Sequence, residues 1–405
     1  MLPVAEARAR ILAALQPTGG ETVALPEAWN RVLAAPVVAR LTQPPAAVSA
    51  MDGYALRAAD GAEGAVLRVI GAAPAGHPFA GTLGAGEAVR IFTGGVVPAG
   101  ADAILLQEDA TPGEGPDSPT VLVREAVRPG RWIRPQGLDF RAGDTLLSAG
   151  RRLTARDIGL AAAANHPWLT VHRAPRVAIL ATGDEIVLPG EPLPAGGIVS
   201  SNAHALAALV LAAGGVPLVL PIATDREESI TAAAAAARGC DMLVTTGGAS
   251  VGEHDLIQKA LAPQGLAVDF WKIAMRPGKP LIWGRLGETP LLGLPGNPVS
   301  ALACAVLFLW PALARLSGLP AAPPPFRRAV TGADLPANDG REDYMRATVS
   351  AGPEGQVVVT AAQRQDSSML RVLAGADALL RRLPHAPALP AGSEVEVLVL
   401  TEIGL

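Results

Sequence analysis

Three glycine-rich loops, three carboxylates and one short basic run are the residues here whose types and spacing suit chemistry. The loops are Thr182–Gly183–Asp184–Glu185, Thr246–Gly247–Gly248–Ala249–Ser250–Val251–Gly252 and Gly293–Leu294–Pro295–Gly296–Asn297–Pro298. Each follows an apolar run of strand character, and in an open α/β sheet ligands bind beyond the carboxyl ends of the strands. Glycine lets backbone N–H groups face an oxyanion, and the N-terminus of a following helix adds a positive dipole. One such loop says little, because glycine also serves simply to turn a chain; three on one edge point to anion binding. The carboxylates are Glu185, Asp225 and Asp255. Asp225 and Asp255 also stand where a helix N-cap is wanted. Grouped beside phosphate-type loops, the three suit Mg²⁺, which takes one or two carboxylates and fills its shell with phosphate and water. The basic counterpart is Lys272 with Arg276–Pro277–Gly278–Lys279–Pro280. Proline and glycine preclude a regular helix there, so Arg276 and Lys279 project from a fixed loop. A tetrahedral oxyanion or phosphate is their natural partner, and a solvated charged turn is the alternative.

Other chemistries lack their residues. The only cysteines, Cys240 and Cys304, sit among apolar neighbours and read as buried, inert thiols. The six histidines show no HExxH spacing, and there is no P-loop and no GxGxxG after a strand. Nucleophilic, zinc and nicotinamide chemistry are therefore not expected. A formal charge of −4 speaks against a general nucleic-acid binder, so an anionic ligand needs local basic clusters.

The elements that must position these residues follow from periodicity. Length (405 residues) implies two to four domains, and 50% hydrophobic with 17% charged residues is globular. Leu2–Leu15 reads as an amphipathic helix rather than a signal peptide. Short β-rich runs (Ala65–Ile70, Ala88–Phe92, Ala103–Gln107, Thr120–Val123) then alternate with turns, as in a small barrel-like unit, with Thr111–Pro119 as an exposed loop. From about 175 to 320 the texture becomes strand–loop–helix. Strands are expected at Arg176–Ala181, Leu218–Ile222, Met242–Thr246 and Leu291–Leu294. Helices are expected at Ser201–Ala213, at Glu227–Arg238 with Asp225 and Glu228 as a capping box, and at Val299–Trp310 with Asn297 as cap. Repeated βα units imply a central three-layer α/β domain with a mostly parallel sheet. Pro320, Pro323, Pro324 and Pro325 mark a linker to a closing β domain. Gly214, Gly215 and Pro217 interrupt the apolar stretch from Ala203 to Ala223, and Val299–Leu309 is too short to span a bilayer, so no membrane association is expected.

Taken in order, these motifs resemble one family, the molybdopterin molybdenumtransferases, which includes the E domain of gephyrin. The likeness rests on Ser49–Ala50–Met51–Asp52–Gly53–Tyr54–Ala55, Arg90–Ile91–Phe92–Thr93–Gly94–Gly95 and Pro98–Ala99–Gly100–Ala101–Asp102–Ala103, together with the loops above. It departs at Arg276, where relatives often carry lysine, at Ala46–Ala47–Val48, which lacks a common Phe-Asp-Asn, and at the loosely matched Gln363–Ser367. The resemblance implies molybdenum insertion into molybdopterin from adenylyl-molybdopterin and molybdate, with Mg²⁺ as cofactor and AMP released. It also implies a cytoplasmic homodimer whose cleft is built partly across the dimer. It divides the chain into an N-terminal helix (1–25) packing on the α/β domain, a connecting domain (26–50 and 140–174), a β-rich domain (51–139), the α/β domain (175–321) and a C-terminal β domain (322–405).

Carried over position by position, the functional acids would be Asp52, Asp139, Glu185, Asp225 and Asp255, the last three being the metal set. Thr93, Lys272, Arg276, Lys279, Arg346 and Ser367 would complete the site, with Thr182, Gly247, Gly248 and Ser250 on the substrate and Pro295 and Pro298 shaping the floor. Arg276, Lys279, Arg346 and Ser367 are expected to converge on molybdate, while Thr246–Gly252 holds the pterin's phosphate side. The competing readings are a molybdopterin adenylyltransferase, which would make the adenylyl-pterin from ATP, and a non-catalytic scaffold of the gephyrin type. The adenylyltransferase and downstream molybdoenzyme chaperones would be further partners.

Overall fold

A computed structural model describes residues 1–116, 118–247, 254–353 and 355–403, without the side chains of residues 254 and 255. Gly248 and Ser250 of the third-strand loop lie outside the described residues.

The centre is a six-stranded sheet in the order Val216–Val219, Arg176–Ala181, Met242–Thr246, Thr289–Leu294, Pro280–Leu286, Leu266–Lys272. The first four strands run parallel, and the last two join by antiparallel pairing. Met242–Thr246 is buried at every position, as an uninterrupted apolar run covered on both faces must be. One face carries Glu227–Ala235 and His254–Leu261, through Ile230, Ala234, Ile257 and Leu261. The other carries Asn202–Ala212, the first helix Val4–Ala14 and a long helix from Pro298. Val4, Ala7 and Ile11, spaced for one helical stripe, are the buried residues of the first helix.

Three local expectations need correction. Asp225 does not cap Glu227–Ala235: Arg226 is the N-cap residue and makes no side-chain cap bond, because the main chain at Asp225 is turned toward Asp184 instead. Part of the expected loop Thr111–Pro119 is a strand, Ala110–Glu114, paired antiparallel with Pro119–Val123. It is an exposed edge, so the Pro and Gly that suggested a loop cost it no buried contacts. Finally, the helix expected to end at Trp310 continues to Leu316, for 19 residues. A π-helical turn, Ala305–Leu309, precedes Pro311 and takes up the proline's missing N–H. Its length and hydropathy suffice to cross a membrane, yet 78% of its apolar window is buried inside the protein, the mark of a core helix.

The β-rich stretch near the N-terminus is a six-stranded mixed sheet with buried residues on both faces, among them Leu56 and Leu105 on one and Ala55 and Ile104 on the other. Near the C-terminus, Glu342–Ala351, Val357–Ala361, Arg327–Thr331, Glu394–Val399 and Ala378–Arg382 pair in succession, and the last pairs again with the first. That closes a five-stranded ring, which leaves no free edge among these strands. Met275–Arg276 from the central unit adds to it in parallel, opposite Glu342 and Asp343.

Candidate functional site

A cavity of about 700 Å³ opens at the carboxyl ends of the parallel strands. Thr182, Gly183, Glu185 and Asp225 line one side, Thr246, Gly247, Pro295, Gly296, Asn297 and Pro298 the floor, and Lys272 and Lys279 the other side. The three glycine-rich loops meet here because the strands feeding them are parallel neighbours. Thr182 N–H donates to the Thr246 carbonyl at 3.1 Å, and Asn202 Nδ2 donates to Thr246 Oγ1 at 2.9 Å and to the Gly296 carbonyl at 2.7 Å. Gly247 holds φ +93°, and a Cβ there would collide with the Thr182 carbonyl, so the close approach of the two loops requires glycine.

The electrostatics divide the cavity. The Asp225 N–H donates to Asp184 Oδ1 at 3.0 Å. Burial pushes the Asp225 carboxyl above the usual aspartate range; an Asp184 hydrogen bond opposes the shift, and the nearby charges of Asp184 and Glu185 reinforce it. Opposite, Lys272 Nζ lies 3.4 Å from the Trp271 ring centroid, and Lys279 has no ion-pair partner among the described residues. The Thr182 hydroxyl, on a residue only 2% exposed, has no hydrogen-bond partner among the described residues, a donor held ready at the wall.

The other expected residues sort by location. Pro298 opens the buried helix as its first residue. The N–H of Val299 donates to the Ser367 carbonyl at 3.1 Å, and Asn297 Nδ2 donates to Ser367 Oγ at 2.9 Å. Asn297 thus holds the expected N-cap position, but its side chain makes no cap bond and tethers the C-terminal turn instead, and Ser368 from that turn lines the cavity. Asp255 is the second residue of helix His254–Leu261, not its cap, and its side chain lies outside the described residues.

The expected convergence of Arg276, Lys279, Arg346 and Ser367 does not form: of these four only Lys279 lines the cavity. Pairing of Met275–Arg276 with the barrel strand places the Arg276 guanidinium against Asp343, by Nε at 3.0 Å and Nη2 at 2.5 Å, with Nη1 at 3.2 Å from Asp339. Arg346 is 1% exposed; its Nη2 donates to the Asp366 carbonyl at 3.1 Å and its Nε has no partner among the described residues. Asp52 and Thr93 meet elsewhere, with the Thr93 N–H and hydroxyl donating to Asp52 Oδ1 at 2.7 and 2.8 Å. Those bonds hold the Asp52 carboxyl below its usual range. Asp139 is exposed beyond the strand pairing of Gln43 with Phe140. Among the described residues, no cavity-lining residue comes from the chain between 26 and 174.

Among the described residues no three His, Cys, Asp or Glu side chains cluster tightly enough to hold a metal unaided. Glu185 and Asp225 remain as two hard oxygen donors on one wall, which fits an ion that shares its shell with ligand phosphates and water. The sequence reading overlooked Asp184, Asn202, Trp271 and Ser368. Asn202 had a signal, since Ser200–Ser201–Asn202 is a polar start to an apolar helix; Ser368 had none beyond its neighbour.

The chain has known relatives throughout its length. Residues 2–165 match the MoeA N-terminal region (domain I and II), 178–315 a probable molybdopterin binding domain, and 328–400 the MoeA C-terminal region (domain IV). It is 36% identical over 372 residues to the molybdopterin molybdenumtransferase of Haemophilus influenzae, covering 91% of each chain. It is 38% identical over 400 residues to molybdopterin molybdenumtransferase 2 of Mycobacterium tuberculosis, covering 94% of this chain and 95% of the relative. The crystal structure of a molybdopterin biosynthesis MoeA protein from Pyrococcus horikoshii superposes with a TM-score of 0.85 at 29% identity, over 98% of this chain and 99% of that one. The loops, the cavity they enclose and these likenesses agree: the chain belongs to the molybdopterin molybdenumtransferases, a transferase family of molybdenum cofactor biosynthesis.

Proposed function

We propose that the chain inserts molybdenum into molybdopterin, consuming adenylyl-molybdopterin and molybdate and releasing AMP, with Mg²⁺ as cofactor, as the final step of cofactor assembly. The observation that carries this reading is the polarity of the cavity, with Glu185 and Asp225 on one wall and Lys272 and Lys279 facing them. A doubly anionic substrate pair needs cations in the wall, while a phosphate-bound metal needs carboxylates.

On this reading Lys272 and Lys279 take anionic oxygens, and the Thr182 hydroxyl donates to one of them. Glu185 and Asp225 would hold the magnesium ion, with Asp255 as the third candidate. Bound there, the ion would neutralise phosphate charge as AMP departs. Burial first, and the charges of Asp184 and Glu185 after it, raise the Asp225 carboxyl, so its ionisation and metal binding support one another. Arg276 and Arg346 serve as positioning residues, Arg276 by holding the Lys279 loop on the barrel and Arg346 by holding the turn that carries Ser367 and Ser368. The Asp52–Thr93 pair and Asp139 contribute nothing to the cavity of their own subunit, which supports a homodimer with a composite site.

The test is incubation with adenylyl-molybdopterin, molybdate and Mg²⁺, following AMP and pterin-bound molybdenum. Both should appear. Synthesis of adenylyl-pterin from ATP would instead make the chain an adenylyltransferase, and neither product would leave a scaffold. Mixed dimers of Asp52→Ala and Asp255→Ala subunits should regain activity; an active monomer in sedimentation would end the composite-site reading.

A further inference from the structure

Among the described residues Trp271 is the one aromatic residue that lines the cavity, and it is 38% exposed in a chain with only 3% aromatic residues. It sits on the edge strand Leu266–Lys272, where strict alternation would send Trp271 and Lys272 to opposite faces. The pairing with Pro280–Leu286 shifts register between Phe270 and Lys272, and both residues line the cavity. Irregularities of this kind re-aim side chains at sites. The Lys272 ammonium lies 3.4 Å from the Trp271 ring centroid, so a cation and a flat π-surface are presented together. The lysine itself stands out: of 33 basic residues only Lys259, Lys272 and Lys279 are lysine, and two of the three line this cavity.

We propose that Trp271 is the stacking platform for a flat heterocycle of the substrate, with Lys272 taking a phosphate of the same ligand. The proposal rests on the functional reading above and deepens it, by naming the residue that recognises the ring rather than the anions. Adenylyl-molybdopterin carries two such rings, a purine and a pterin, and the chemistry of stacking is common to both.

The experiment measures calorimetric affinity for AMP and, separately, for a soluble oxidised pterin phosphate, in the wild-type chain, Trp271→Ala and Trp271→Phe. Trp271→Ala should weaken one of the two ligands by roughly tenfold to a hundredfold, and Trp271→Phe should restore most of it. Loss confined to AMP assigns the purine to Trp271; loss confined to the pterin phosphate assigns the pterin. Ligand-induced quenching of tryptophan fluorescence should vanish in Trp271→Phe although binding persists, a readout that a merely structural role would not move. If Trp271→Ala binds both ligands as wild type does, the platform is refuted while the functional reading stands. If the wild-type chain binds neither ligand, the functional reading fails and the platform falls with it.

Discussion

Lys279 and Arg276 stand three residues apart in one loop, yet they belong to different parts of the molecule. Lys279 faces the cavity and pairs with no carboxylate among the described residues. Arg276 is the end of a two-residue strand on the C-terminal barrel, and Asp343 and Asp339 hold its guanidinium. The contrast shows that a basic motif does not assign its own roles. What assigns them is whether folding supplies a carboxylate, and here a strand 67 residues downstream supplies one to Arg276 only. A satisfied guanidinium positions the loop; an unsatisfied ammonium is left for a ligand.

Substitutions at the two residues should therefore separate activity from stability. Lys279→Ala removes a charge-assisted contact worth roughly 1.5–3 kcal/mol, so kcat/KM should fall about tenfold to a hundredfold while the melting temperature barely moves. An equal fall in melting temperature would erase the distinction between the two residues. Arg276→Met should do the reverse first. It strands Asp343, whose side chain is 12% exposed, and after discount for the half-exposed arginine should cost about 1–2 kcal/mol, a drop of a few degrees in thermal unfolding. If thermal unfolding is unchanged and molybdate dependence alone shifts, Arg276 is a ligand residue after all.

The acidic wall sharpens the comparison through pH. The Asp225 carboxyl is raised by burial and by Asp184 and Glu185, so its protonated form is the one the fold favours. Its stabilising contribution is present below the unfolded value and lost as pH rises through the folded one. Metal affinity runs the other way: Mg²⁺ binding should weaken as pH falls through the raised Asp225 value, above the range of an ordinary aspartate. Asp225→Asn should weaken Mg²⁺ binding and flatten that dependence; a wild-type curve that is already flat would remove Asp225 from the metal's shell. The smallest effect belongs to Thr93→Val. It should let the depressed Asp52 carboxyl rise toward its ordinary value, seen by carbon-detected NMR titration, with almost no change in melting temperature. Here the sign is opposite, since the contribution of Asp52 is present above the unfolded value and lost as pH falls through the folded one.

Much of this was legible in the chain, and the remainder has identifiable causes. The parallel core strands and their glycine loops could be read because the pattern of apolar run then glycine recurs three times in one strand–loop–helix stretch. The Asp225 cap misread a residue whose spacing fits a capping box but whose main chain turns to Asp184. Trp271 escaped notice because no strand was expected at Leu266–Lys272, and the register shift that brings it to the cavity beside Lys272 has no local sequence signal. The Arg276 partners were out of reach because no local pattern predicts that two residues of one unit will extend the barrel of another.

The long buried helix has a consequence for how the chain can be dissected. Residues of Pro298–Leu316 share one core with Val4 and Ile11 near the start of the chain and with Leu398, Leu400 and Ile403 near its end. Cutting at the proline-rich segment after Leu319 would bare a face of that core to water, and so would deleting the first 15 residues. The central unit excised alone would present a membrane-like apolar helix to its neighbours and to chaperones. A ribosome releasing this chain cannot complete the cavity floor until Ser367 has emerged to meet Asn297 and Val299, so the α/β unit leaves the tunnel before its own site can assemble.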